Sequence, residues 1–113
     1  MNELFERIIV EINERKHLKV LLPRNPLTIK FECEDEEWTI ILSRENCKYI
    51  KGSINEKGDL RICASAHVLN LLLTGEIRLH QLSKYGEINV EGSYRHSLLL
   101  ESIIWLCRDY KIA

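Results

Sequence analysis

No two of the four cysteines, Cys33, Cys47, Cys63 and Cys107, stand close enough in sequence to form the paired ligands of a zinc site. Structural zinc is usually held by thiolates and imidazoles delivered in short pairs, so no metal centre is expected and no cofactor is implied. Three of the four lie in strand-like apolar patterns, where a reduced thiol acts as a small hydrophobe. Charge of one sign is missing too. Sixteen Lys and Arg stand against seventeen Asp and Glu, so the basic excess that neutralises phosphates is absent and nucleic acid is not an expected partner. The one local excess, Glu32, Glu34, Asp35, Glu36 and Glu37, is acidic and reads as a solvated hairpin turn. No apolar run approaches the ~20 residues that span a bilayer, so no integral membrane segment is expected. The first residues, Met-Asn-Glu-Leu-Phe-Glu-Arg-Ile, carry acids where a secretory signal is basic. Lys111-Ile112-Ala113 forms neither a peroxisomal tripeptide nor a prenylation box, and the expected location is the cytoplasm. With two prolines and five glycines there is too little for a flexible linker. The 113 residues are therefore read as a single domain, 1–113, around one core.

What is present is apolar periodicity, in a chain that is 45% hydrophobic. Leu4, Phe5, Ile8, Ile9 and Ile12 recur at three- and four-residue intervals and predict an amphipathic helix over roughly residues 2 to 16. The pattern breaks at Pro23 and Pro26. The period then becomes two. Leu27, Ile29, Phe31 and Cys33 alternate with Thr28, Lys30 and Glu32, as in a strand with one buried face. Residues 38–43 form a second strand, apolar on both sides and so nearer the sheet centre. Residues 46–54 read as a third strand and 59–63 as a fourth, with turn composition at Asn55-Glu56-Lys57-Gly58. Short links between successive strands favour antiparallel pairing. Ser65 is a good N-cap for a leucine-rich helix that Gly75 would terminate. A short helix at 77–85 closes at Gly86, a fifth strand covers 87–91, and Ser93 caps a last helix reaching about Tyr110. Strands and helices are segregated. The expected fold class is α+β, a mainly antiparallel five-stranded sheet covered by helices.

The segment from Asp59 to Leu106 carries more than periodicity. A strand, a small-residue cap, a leucine-rich helix ending at Gly75, then Gly86-Glu-Ile-Asn-Val-Glu-Gly92 feeding a last helix, resembles the sterol carrier protein type 2 domain. The ordered glycines Gly75, Gly86 and Gly92 carry the likeness, and the strands from Leu27 to Ile54 stand in compatible order. The resemblance implies a helix-covered sheet enclosing an apolar tunnel for sterols, fatty acids or acyl-CoA. It supplies no catalytic residues. Two departures stand out: Ser93 occupies a position where an acid often follows the second glycine, and the sequence ends soon after the last helix, where longer members continue. A remodelled pocket, or one shared between two copies, is compatible with that.

The apolar helix surface is larger than one sheet needs. Leu99, Leu100, Ile103, Ile104, Leu106, Cys107 and Tyr110 occupy an arc of roughly 160° on the last helix, and Tyr94, Leu98 and Trp105 form a separate stripe roughly opposite. Two readings follow. In the first, the protein binds, and in a further form transfers, an apolar ligand without catalysis. The cavity walls would be Phe31, Ile40, Val68, Leu69, Leu72, Leu79, Leu82, Leu100, Ile103, Ile104 and Cys107. In the second, the core is filled and the Tyr94/Leu98/Trp105 stripe joins a second copy or a partner protein. Enzymatic activity is not expected. His17, His67, His80 and His96 are scattered, Cys63 with His67 is the nearest thiol–imidazole pair, and Gly92-Ser93-Tyr94 is not a nucleophile elbow. Phosphate-cradling glycine spacing is also absent.

Overall fold

A computed structural model describes residues 2–34, 36–52 and 58–107, with side chains from Glu3 onward. The third strand's continuation to Ile54, the turn residues Asn55 to Lys57, Asp35 of the acidic run and the last helix's extension to Tyr110 lie outside the described residues. The elements are α1 (Asn2–Glu14), α2 (Lys16–Lys19), β1 (Leu27–Cys33), β2 (Glu36–Leu42), β3 (Lys48–Lys51), β4 (Leu60–Cys63), α3 (Ala66–Leu73), α4 (Leu79–Lys84), β5 (Asn89–Gly92) and α5 (Tyr94–Cys107). The first helix stops at Glu14, two residues before its expected end, and α2 follows as a separate short helix.

The strand order is β3-β2-β1-β4-β5. β1 with β2, β2 with β3, and β4 with β5 are antiparallel, while β1 and β4 run parallel, so the sheet is mixed. The short link predicts β3 and β4 as antiparallel neighbours, and here the structure differs: β2 and β1 lie between them. Parallel neighbours need a long connection, and β2, β3 and their loops provide it between β1 and β4. Asp59 pins the junction twice. Its backbone N–H donates to the Thr28 carbonyl at 2.8 Å and its carboxylate accepts from Thr28 N at 2.9 Å.

Alternation decides which face is covered. Leu27, Ile29 and Phe31 of β1 register with Leu42, Ile40 and Trp38 of β2, and all six are buried on one face. Leu60 and Ile62 of β4 extend that face. Phe5 of α1 packs on it, with ring centroids 5.1 Å from Phe31, 5.5 Å from Trp38 and 6.4 Å from Tyr49. Burying such a ring stabilises the fold by about 1.5–3 kcal/mol. α1 is also tied by polar contacts. Asn13 exchanges two 3.0 Å hydrogen bonds with the Cys47 backbone, and Arg15 donates to the Leu106 carbonyl at 2.9 Å. The opposite face presents Lys30, Glu32, Arg61 and Glu91.

Both inner helices start and stop as their sequences dictate. The Ser65 hydroxyl accepts from Val68 N at the start of α3. At its end Gly75 N donates to Leu72 O and Glu76 N to Leu71 O, the paired bonds that require a left-handed residue, and Gly75 has φ 77°. The same pair recurs after α4, from Gly86 to Ser83 and from Glu87 to Leu82. Gly92 answers a different demand. At φ 137°, an added Cβ would stand 2.7 Å from the Asp59 carbonyl oxygen, so only glycine lets β5 approach β4 this closely. Ser93 caps α5 by accepting from His96 N at 3.1 Å.

Candidate apolar site and its polar margins

The eleven residues expected to line a cavity come from five elements and meet in one buried cluster. Phe31 and Ile40 rise from the sheet, Val68, Leu69 and Leu72 from α3, and Leu79 and Leu82 from α4. Leu100, Ile103, Ile104 and Cys107 come from α5, and none of the eleven is more than 6% exposed. Among the described residues the polar residues buried as a whole are Thr39 and Ser97, and the Nδ1 of half-buried His96 is buried as well, with no hydrogen-bond partner. Thr39 is served by the Gly52 carbonyl at 3.0 Å, and Ser97 donates back to the Tyr94 carbonyl at 2.8 Å. The interior between sheet and helices therefore offers dispersion contacts and no charge. Only apolar matter can be accommodated there without a desolvation cost.

The expected contact stripe is not uniform. Tyr94 is 67% exposed and Leu98 39%. Trp105 is half-buried, with the Arg78 guanidinium 4.2 Å above its ring. That stacking ties α4's start to α5 by a cation–π contact.

Among the described residues, grooves with polar walls lie outside this interior. One, of about 410 Å³, lies on the uncovered sheet face between Lys30, Glu32, Asp59, Arg61 and Glu91. Its central cation is committed: Arg61 grips Glu32 through two bonds of 2.9 and 2.6 Å and reaches Glu91 at 3.6 Å. The Arg61 bonds hold the Glu32 carboxyl below the ordinary carboxylate range, helped by a 3.2 Å contact from the Cys63 thiol. Burial, then the Glu32 contact, push the Cys63 thiol up in turn. Cys63 thus faces Glu32, and His67, its neighbour in sequence, is exposed. Burial also raises the Cys33 and Cys47 thiols and takes Cys107 to about 11. All four cysteines are free, and among the described residues no three metal-ligating side chains converge.

A second groove, of about 250 Å³, opens between α4, β5 and α5. Leu79 and Val90 form its apolar wall, and His80, Ser83, Tyr94 and Ser97 its polar one. The His80 Nδ1 is hydrogen-bonded to Glu101 of α5, and the Tyr94 ring meets His80 edge-on at 5.1 Å. Sequence reading left His80 unassigned, because its partners lie on another helix. One signal stands in the sequence, an acid, Glu101, set among apolar residues of the last helix, and in the structure its side chain is 12% exposed. No helix among the described residues is long and apolar enough to cross a membrane.

Comparison with known proteins agrees with this architecture. The profile of the SCP-2 sterol transfer family matches residues 4–104. The SCP2 domain-containing protein YusD of Bacillus subtilis (strain 168) is 32% identical over 118 residues, spanning 93% of both chains. The solution structure of the sterol carrier protein domain 2 of Helicoverpa armigera superposes with a TM-score of 0.70 at 15% identity, over 94% of this chain and 85% of that one. Palmitated SCP2L2 from Aedes aegypti gives a TM-score of 0.61 at 15% identity, over 89% and 90%. Both share the fold.

Proposed function

The chain belongs to the SCP-2 sterol transfer family, and from that membership we propose that it binds the apolar part of a lipid, such as a fatty acid, fatty acyl-CoA or sterol-like molecule, between its sheet and helices. The carrying observation is the continuous apolar cluster contributed by β1, β2, α3, α4 and α5, which holds no charged side chain among the described residues. Each buried CH₂ of an acyl chain contributes ~0.8 kcal/mol, so partial insertion already gives useful affinity. The relative from Aedes aegypti, described as palmitated, is consistent with an acyl chain as the occupant. The function is binding, or carriage between membranes, without catalysis. The Cys63 thiol, the one nearest to an imidazole in sequence, contacts Glu32 at 3.2 Å.

Displacement of a fluorescent fatty-acid analogue tests this reading. Wild-type protein is expected to take up the probe. Leu72→Trp fills space at the centre of α3 and is expected to weaken uptake at least roughly tenfold, at a stability cost of ~1–3 kcal/mol that leaves the circular dichroism spectrum intact. A folded Leu72→Trp protein with full affinity would remove the assignment. The exposure of Tyr94 and Leu98 favours a second reading, in which the α5 face meets another copy of the chain or a partner protein.

A further inference from the structure

Resting on the apolar-ligand reading, we propose that the groove between α4, β5 and α5 seats the polar end of the ligand, and that this end is a free carboxylic acid recognised by His80. The groove adjoins the apolar interior. Leu79 lines it and is also part of the buried cluster, at 1% exposure, and Val90 packs against that cluster from β5. At about 250 Å³ the groove is smaller than the roughly 300–1,000 Å³ of sites that enclose whole small molecules. It suits the end of a molecule whose remainder lies elsewhere, and the nearest apolar volume is the interior behind Leu79.

The chemistry of the end follows from how His80 is held. Glu101 takes Nδ1 from the α5 side and does not itself line the groove. Nδ1 is therefore turned away, and Nε2 is the polar atom the ring has left for a ligand. The Tyr94 ring, edge-on at 5.1 Å, restricts rotation of the imidazole. With Nδ1–H committed to a carboxylate, Nε2 accepts a proton when the ring is neutral and donates one when it is cationic. A carboxyl group matches both states. Acid with neutral imidazole, and carboxylate with imidazolium, are the same pair of heavy atoms sharing one proton. The Ser83 hydroxyl, on the same helix one turn later, lines the groove and can donate to the second carboxyl oxygen. An ester has no proton to share and loses the match to the neutral ring. A coenzyme A thioester lacks it as well and is far larger than the groove.

Calorimetric titration with dodecanoic acid and methyl dodecanoate, below their aggregation thresholds, separates head recognition from tail burial. The wild-type protein is expected to bind the acid roughly tenfold or more tightly than the ester, the scale of one charge-assisted hydrogen bond. His80→Leu is expected to abolish that preference while still binding the ester, and Glu101→Gln to reduce it. A readout that needs no variant accompanies these: the His80 Nε2 resonance of ¹⁵N-labelled wild-type protein should shift with the acid and not with the ester. Equal affinities for acid and ester, a preference surviving in folded His80→Leu, or an Nε2 resonance indifferent to the acid would each overturn the headgroup assignment and leave the apolar-ligand reading standing. Failure of the wild-type protein to bind either compound would overturn both.

Discussion

Glu32 shows how much one side chain on the uncovered face organises. It receives Arg61 from β4 in a two-bond grip and the Cys63 thiol beside it, and these contacts hold its carboxyl below the ordinary range. A carboxyl whose folded value is lowered stabilises the fold above its unfolded value, about pH 4.3, and the contribution fades as pH falls through the folded value. The urea midpoint of wild-type protein should therefore exceed that of Glu32→Gln at neutral pH, with the gap closing on acidification below about pH 4. The same variant should speed alkylation of Cys63 by iodoacetamide at pH 8, because the negative neighbour that raises its thiol is gone. A gap that stays constant with pH would mean that Gln reproduces the contact and that charge contributes nothing there.

At the scale of elements, stability is borrowed from neighbours. α3 has eight residues, fewer than an isolated helix needs to persist in water, so its cap and its buried leucines must hold it. Ser65→Ala removes the acceptor for Val68 N and should cost about 1 kcal/mol, read from denaturant titration. This scale is also where sequence and structure part. The helices and strands carry periods of 3.6 and 2, so their inward residues were legible: Phe5, Ile8 and Ile12 on α1, Ile29 and Phe31 on β1, Leu69 and Leu72 on α3 are all buried as expected. The cap at Ser65 and the terminators Gly75 and Gly86 were legible for the same local reason. α2 was not, because four residues between Arg15 and Val20 complete barely one turn and show no period. Nor was the parallel pairing of β4 with β1. Link length speaks only of neighbours in sequence, whereas that pairing is fixed by Asp59 bonding to Thr28, 31 residues away. The His80–Glu101 contact joins helices whose mutual packing no local pattern encodes.

The whole molecule is a two-sided object. One side of the sheet is polar, its groove crossed by the Glu32–Arg61–Glu91 ion pairs, and the other is an apolar interior closed by α1, α3, α4 and α5. Among the described residues no charged side chain is buried in that interior, and the His80 groove adjoins it through Leu79 and Val90. This division suits a molecule with a long apolar body and a small polar end. Native mass spectrometry of freshly purified protein, followed by organic extraction, tests that claim most directly. The account predicts one lipid per chain, either co-purifying or taken up from added fatty acid after delipidation, with the complex monomeric in its protein component. A bare chain mass that stays unchanged on addition of fatty acid, acyl-CoA and sterol would contradict it, and a bare dimer would turn attention to the Tyr94 and Leu98 face instead.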